Sequence, residues 1–100
     1  MQECNQLNEM GLRHGYWEQY YENGELCYKG NYINGKKDGY WEWYNINGNL
    51  SHGNYKNNKR HGYWKEGWNG DNLLSNGNYV NGKRDGYWFI NNQEYYYARM

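Results

Sequence analysis

A repeat of 23 to 24 residues constrains what this chain can fold into. The triplet Gly-Tyr-Trp occurs four times, and its glycines are Gly15, Gly39, Gly62 and Gly86. A second triplet, Gly-Asn-Tyr, falls between these copies at the same period, starting at Gly30, Gly53 and Gly77. Self-similarity at a fixed period of roughly 20 to 50 residues indicates an array of one supersecondary unit.

Aromatic side chains must supply most of the core of such an array. The chain of 100 residues has 14 Tyr and 6 Trp, so that 21% of it is aromatic out of 37% hydrophobic. Leu, Ile and Val are scarce, and burial therefore has to depend on contacts between rings. The mean hydropathy of -1.45 would suit a disordered chain, but periodic glycines among so many aromatic residues argue against disorder.

Each period predicts two strands around a turn. Residues 16–21 are rich in aromatic side chains, which favour a pleated, half-buried surface. Asn23-Gly24 predicts a type I′ hairpin turn, in which both central residues need positive φ. Residues 25–33 form the predicted return strand, and Asn34-Gly35 begins the link to the next unit.

The later copies follow the same scheme with local departures. The second predicts strands over 40–44 and 49–56 around Asn47-Gly48. In the third, Asn57-Asn58 replaces Asn-Gly, Gly67 interrupts the strand, and the loop at 69–72 is out of register. The fourth has a shortened hairpin from residue 87, typical of a cap, and residues 1–7 predict a lead-in with a short edge strand.

The fold class expected is all-β, an elongated antiparallel sheet of about four stacked β-hairpin repeats. The sequence predicts one domain over 1–100, with repeats at approximately 11–33, 34–56, 57–80 and 81–100. Period-2 alternation puts the tryptophans that follow the glycines on one face. Gly30, Gly53 and Gly77 are expected to leave room for a neighbouring Trp ring there.

The run from Tyr28 to Gly39, Tyr-Lys-Gly-Asn-Tyr-Ile-Asn-Gly-Lys-Lys-Asp-Gly, resembles the MORN repeat pattern Y-x-G-x-[WFY]-x-x-G-x-x-x-G throughout. The runs from Gly53 to Gly62 and from Gly77 to Gly86 fit without the leading Tyr, and Asn58 stands for a Gly in the first. The strand-turn part from Gly15 to Leu26 is similar to variant MORN repeats of bacterial and viral proteins.

This resemblance, which covers about residues 11–97, implies an elongated sheet of hairpins used for protein contact. In some eukaryotic members it implies lipid association, and some bacterial proteins of the variant type are similar to antitoxin or immunity partners. Function carried over from a fold is analogy.

The face opposite the tryptophans is the predicted partner-binding surface. Tyrosine is amphipathic, stiff and enriched at interface hot spots, although these rings could also merely cover the second face. The predicted contact residues on this face and in the irregular third copy are Tyr16, Glu18, Tyr20, Tyr40, Glu42, Tyr44, Tyr63, Lys65, Trp68 and Tyr87.

Charge and hydropathy restrict the partners that can be expected. Eleven basic and eleven acidic side chains give zero formal net charge, which lacks the electrostatic footprint of a nucleic-acid binder. No apolar run is long enough to span a membrane, and residues 1–6 lack a signal pattern. The chain is expected in the cytoplasm, and its Asn, Tyr, Lys and Ile content suits a low-GC bacterium, its phage or a large virus.

No motif predicts catalysis, a cofactor or a metal. His14 and His61 occupy the position of Asp38 and Asp85, and are predicted to be turn residues rather than ligands. Cys4 and Cys27 lack metal spacing and are expected as free thiols, while a single bridge between them stays open.

The leading expectation is a non-enzymatic protein-binding module, such as a small inhibitor, an antitoxin or a phage inhibitor of a host defence protein. The alternative is an aromatic repeat module that binds choline or glucan, because Tyr20-Tyr21-Glu22-Asn23-Gly24 is similar to runs of wall-binding repeats. A membrane-associated scaffold is the third class, and zero net charge disfavours it.

Overall fold

Asparagine and glycine turns determine how successive strands are joined. The computed structural model describes residues 5–68 and 74–98, with the backbone alone of Trp68. Among these residues, four two-residue turns have positive φ at both central positions, between 48° and 83°. Asparagine tolerates this left-handed region, so turns form even where it replaces glycine. The four are Asn34-Gly35, Asn57-Asn58, Asn81-Gly82 and Asn91-Asn92.

The turn at Asn23-Gly24 is longer than a type I′ turn, and that prediction was wrong. Only Gly24 has positive φ, at 86°. The amides of Tyr21 and Gly24 donate to the carbonyls of Glu25 (2.8 Å) and Tyr21 (2.9 Å). The Asn23 side chain accepts from the amide of Glu25 at 2.9 Å, which satisfies the backbone of the wider loop.

In the part of the chain that the structure describes, nine antiparallel strands form one open sheet in which neighbours in sequence are neighbours in space. This confirms the all-β fold of hairpins stacked edge to edge, and the molecule measures 44 × 35 × 19 Å. No helix long and apolar enough to cross a membrane occurs in the described residues. The strands are β1 (Gln6–Leu7), β2 (Arg13–Tyr20), β3 (Leu26–Ile33), β4 (Lys36–Tyr44), β5 (Leu50–Lys56), β6 (Lys59–Trp68), β7 (Ser75–Val80), β8 (Lys83–Ile90) and β9 (Gln93–Tyr97).

Strands β2, β4, β6 and β8 begin before the glycines, earlier than predicted. The link at Asn34-Gly35 is itself a two-residue turn, so the chain enters β4 at Lys36. His14 and His61 therefore lie within β2 and β6, and their prediction as turn residues was wrong. His14 still bonds to backbone, because its Nδ1 accepts from the amide of Asn34 at 3.3 Å.

A repeated bulge accounts for the Gly-Tyr-Trp triplets. Lys29 lies opposite Glu42 and Asn31 opposite Asp38, so three residues of β4 face Gly30 alone. The same arrangement recurs between β5 and β6 and between β7 and β8, opposite Gly53 and Gly77. The two extra residues bend the bulged strand. Because their number is even, the side chains beyond the bulge stay on the same faces of the sheet.

The glycines opposite these bulges seat tryptophan rings, as predicted. A Cβ at Gly30 would lie 2.1 Å from the nearest ring carbon of Trp41, and the corresponding distance for Gly53 and Trp64 is 2.3 Å. Trp41, Trp64 and Trp88 are completely buried. Edge-to-face contacts at 5.0 to 6.2 Å link the rings across the sheet in the order Trp17, Tyr32, Trp41, Tyr55, Trp64, Tyr79 and Trp88.

Each Gly-Tyr-Trp triplet has a cation two residues before its glycine, and these cations cover the tryptophans. This role was not predicted from the sequence. The guanidinium carbons of Arg13, Arg60 and Arg84 lie 4.6, 4.4 and 4.6 Å from the centroids of Trp17, Trp64 and Trp88. Lys37 lies 5.9 Å from that of Trp41. Cation–π attraction of this kind completes the core of a single-layer sheet.

The third copy replaces a ring with a carboxylate. Glu66 stands where the second copy has Trp43, and it bonds to Arg60, to Arg84 (3.5 Å), to Ser75 (2.9 Å) and to Tyr79 (2.8 Å).

Strand β6 continues through Gly67 (φ 73°) with a register shift in its pairing to β5, so the predicted interruption was wrong. Cys27 is a free thiol. The predicted loop at 69–72, Cys4 with its open bridge, and the last two residues of the cap lie outside the described residues.

Candidate interaction surface

The face opposite the tryptophans carries a row of tyrosines and asparagines that crosses the strands. Tyr16, Tyr40 and Tyr63 pair with the asparagines of the Gly-Asn-Tyr triplets, and Tyr87 pairs with Tyr96. Since neighbouring strands are about 4.8 Å apart, successive tyrosines lie roughly 10 Å apart. The tyrosine row consists of Tyr16, Asn31, Tyr40, Asn54, Tyr63, Asn78, Tyr87 and Tyr96.

The rings of this row reach solvent. Tyr40 is 48% exposed, Tyr63 47%, Tyr87 65% and Tyr96 64%. Tyr16 is half-buried. Exposed rings of this size in one line differ from apolar residues that are scattered singly over a surface.

A second row, the central row, runs beside the first and is largely charged. Lys29 lies opposite both Glu18 and Glu42, and His52 lies opposite both Glu42 and Lys65. Lys29 Nζ is 3.4 Å from Glu42 Oε1. The central row consists of Glu18, Lys29, Glu42, His52, Lys65, Asn76, Phe89 and Glu94.

Glu42 holds two tyrosines of the same strand. Tyr40 donates to its Oε2 at 2.8 Å and Tyr44 to its Oε1 at 2.9 Å. Burial acts to raise the pKa of Glu42, but these two hydrogen bonds and the Lys29 charge outweigh it and lower the pKa. Burial and the bond to the carboxylate raise the pKa of Tyr40. The surface therefore presents a fixed anion and neutral phenols near pH 7.

Side-chain contacts also position the other tyrosines. Asn76 Nδ2 donates to the Tyr63 hydroxyl at 2.8 Å. The Tyr87 and Tyr96 rings lie 4.9 Å apart at 57°, and the Tyr40 ring is 5.8 Å from His52. Rings held in this way lose little further rotamer entropy on binding.

The structure brings nine of the ten predicted contact residues to a single face. Tyr16, Tyr40, Tyr63 and Tyr87 lie in the tyrosine row, while Glu18, Glu42 and Lys65 lie in the central row. Tyr20 and Tyr44 end β2 and β4 beyond the central row, and the Tyr20 hydroxyl donates to Glu18. The side chain of Trp68 lies outside the described residues.

Two aromatic residues of this face were missed in the sequence. Phe89 is 50% exposed and Tyr96 is 64% exposed. Phe89 follows Trp88 as Glu18, Glu42 and Lys65 follow their tryptophans, so the period alone would have found it. Tyr96 needed the β8–β9 register, because Tyr95-Tyr96-Tyr97 gives no indication of which ring faces outward.

Comparison of the chain with protein-family models, with curated proteins and with solved structures found no match. Among the described residues, no group of three or more His, Cys, Asp or Glu side chains could hold a metal ion.

Proposed function

We propose that this chain is a non-enzymatic protein-binding module whose tyrosine row is the contact surface. The observation that carries the proposal is the contrast between the faces. Trp41, Trp64 and Trp88 are fully buried on one, while Tyr40 and Tyr63 on the other are about half exposed. Tyrosine is enriched among the few residues that dominate binding energy at interfaces.

The form of action proposed is inhibition by occupancy, as for a small inhibitor, an antitoxin or immunity protein, or a phage inhibitor of a host defence protein. A sheet fixed by a chain of ring contacts and a hydrogen-bonded surface is pre-organised, which lowers the cost of binding. The resemblance to variant MORN repeats supports protein contact by analogy.

Affinity capture with matched variants tests this proposal. The wild-type chain, immobilised and exposed to lysate of the producing cells, is expected to retain a partner that Tyr40→Ala/Tyr63→Ala loses at least tenfold. Tyr95→Ala is the control, because Tyr95 is 44% exposed but lies on the tryptophan face as the cross-strand partner of Trp88. Equal retention by all three chains would exclude the tyrosine row as the contact.

A second candidate is binding of choline or a glucan by aromatic rings. The observation in its favour is the Tyr87–Tyr96 pair, whose tilted rings at 4.9 Å offer two adjacent walls. The remaining tyrosines of the row, spaced two strands apart, are too distant to form a cage. Calorimetry with choline and a soluble β-glucan tests this candidate, and absence of heat at millimolar ligand would eliminate it.

A further inference from the structure

The end of the sheet that contains the turns at Asn34-Gly35, Asn57-Asn58 and Asn81-Gly82 is basic, although the chain is neutral. Each of these turns is followed directly by two cations, Lys36-Lys37, Lys59-Arg60 and Lys83-Arg84, which together with Lys56 outnumber the two carboxylates of this end, Asp38 and Asp85. The opposite end carries Glu22, Glu25 and Glu94 in or beside its turns. The folding topology therefore separates charges that cancel in the sequence.

The first lysine of each pair lies on the tyrosine face. By strand alternation Lys36, Lys59 and Lys83 share the face of Tyr40, Tyr63 and Tyr87, and Lys56 joins them through its pairing with Lys59. All four are exposed. None forms an ion pair with a described residue, whereas Lys29, Arg60 and Arg84 do. The lysine row consists of Lys36, Lys56, Lys59 and Lys83.

Two features indicate that the lysine row receives anionic groups. Lys56 and Lys59 are direct cross-strand partners, and like charges in this position destabilise a sheet. A cleft of about 570 Å³ lies beside the row and is lined by Lys59 and Lys83 with Arg84 and Asp85. A carboxylate placed between Lys56 and Lys59 would relieve their repulsion.

The charges on the other side of the tyrosine row restrict the class of ligand. On that side the central row holds the carboxylates of Glu18, Glu42 and Glu94 beside the ammonium groups of Lys29 and Lys65, and Glu42 stays ionised near pH 7. A nucleic-acid strand or an anionic bilayer covering the tyrosines would bring phosphates against these carboxylates as well as the lysines. A protein segment can place anions on one flank and cations on the other, which satisfies both.

The direction of the rows restricts the conformation of that segment. The rows cross strands that are about 4.8 Å apart. Side chains on one flank of a helix recur once per turn, about every 5.4 Å. Side chains on one face of an extended strand recur every second residue, about every 6.7 Å. The helical repeat is therefore closer to the spacing of the strands. Lys36 and Glu42 of β4 pair with Ile33 and Lys29 of β3, which are only four residues apart because β4 is bulged. Lys36 and Glu42 therefore lie roughly 13 Å apart, which a helix about 10 to 12 Å across can span.

We infer that the partner in the proposed function presents an amphipathic helix across the strands of this face. Its apolar stripe covers the tyrosine row, its carboxylates face the lysine row, and its cations face Glu18 and Glu42. This inference depends on the proposed protein-binding role and adds the chemistry of the partner. Electrostatic matching of this kind determines orientation and association rate.

Three labelled helical peptides of 21 residues with one leucine stripe serve as probes. One has a Glu flank and a Lys flank, one has Glu on both flanks, and one has Lys on both. Fluorescence anisotropy at about 50 mM salt is expected to rank the mixed peptide tightest. A 20-nucleotide RNA, a 20-base-pair DNA and vesicles of phosphatidylcholine with phosphatidylserine test the other occupants.

Matched charge reversals on β6 locate the contact. Lys59→Glu is expected to weaken binding of the mixed peptide about tenfold, while the melting temperature of the variant is not lowered because the introduced carboxylate would pair with Lys56. Lys65→Glu, on the same strand and face but in the central row, is expected to leave binding unchanged or tighter. Equal loss in both variants, or loss in neither, would overturn the role of the lysine row.

The remaining outcomes separate the inference from the proposed function. The inference of a helical partner segment would be overturned if the mixed peptide failed to bind. It would also be overturned if RNA, DNA or vesicles bound more tightly than the mixed peptide and this binding depended on the lysine row. If Tyr40→Ala/Tyr63→Ala abolishes peptide binding but Lys59→Glu does not, the tyrosine row is the contact surface and the pairing of the partner's carboxylates with the lysine row is refuted. If only Lys59→Glu abolishes it, the tyrosine contact fails.

Discussion

At the scale of single residues, three glycines act through the side chain that they lack. Gly30, Gly53 and Gly77 have no positive φ, so conformational freedom does not explain them. The indole rings instead occupy the space that a Cβ atom at these positions would fill. The sequence was enough to predict this, because period-2 alternation and the spacing of the triplets both put Gly and Trp on one face.

Gly53→Ala is expected to lower the free energy of unfolding by about 3 kcal/mol, since its Cβ would meet Trp64 at 2.3 Å and overpacking costs energy of this order. Gly62→Ala is the control, with open space around the added Cβ but a φ of 80°. It is expected to cost only about 1 to 2 kcal/mol, from backbone strain. Urea unfolding measures both. A smaller loss for Gly53→Ala than for Gly62→Ala would refute the ring-seat role.

Glu42 gives a pH-dependent prediction. Because its pKa is lowered in the folded chain, the charged carboxylate stabilises the fold fully above the unfolded value of about 4.3. That stability is lost as the pH falls through the folded-state pKa. The wild type is therefore expected to be more stable than Glu42→Gln at pH 7, and the difference should narrow toward pH 3.

Urea midpoints between pH 3 and pH 7 measure this difference, with Glu94→Gln as the control from an exposed position of the same row. A difference between wild type and Glu42→Gln that is constant across this range would contradict the assigned hydrogen bonds.

At the scale of strands and turns, the sequence predicted the hairpins but not their boundaries. Asn-Gly pairs indicate turns, yet the same pair forms a two-residue turn at Asn34-Gly35 and a wider loop at Asn23-Gly24. The difference depends on side-chain bonds such as that of Asn23 to the Glu25 amide, which compete with the tighter turn. The bulges likewise follow from pairing between strands.

The Glu66 network ties β6 to β7 and β8, and its removal is expected to be costly. Glu66→Ala would leave Arg60, Ser75 and Tyr79 without their shared acceptor. Hydrogen bonds to charged groups contribute roughly 1.5 to 3 kcal/mol, so a loss of about 2 kcal/mol is expected in urea unfolding. Glu94→Ala, at an exposed position, should change stability by less than about 0.5 kcal/mol. Similar losses in both variants would mean that the network contributes little.

At the scale of the whole molecule, the distribution of charge is the property that composition concealed. Zero net charge predicts no electrostatic footprint, but every cation pair after the turns at Asn34, Asn57 and Asn81 reaches the same end of the sheet. Net charge is a sum, whereas a surface potential depends on position. The repeats predicted the two faces correctly, while the basic end could be seen only once the connections between repeats were known.

The central claim is that the tyrosine face, rather than the tryptophan face, meets the partner. Fluorine NMR of the chain labelled with 3-fluorotyrosine, with resonances assigned by single Tyr→Phe changes, observes both faces at once as captured partner is added. The account predicts that the resonances of Tyr40, Tyr63 and Tyr87 shift at saturation while that of Tyr95, exposed on the other face, does not. A shift of Tyr95 with Tyr40 and Tyr63 unmoved would contradict it.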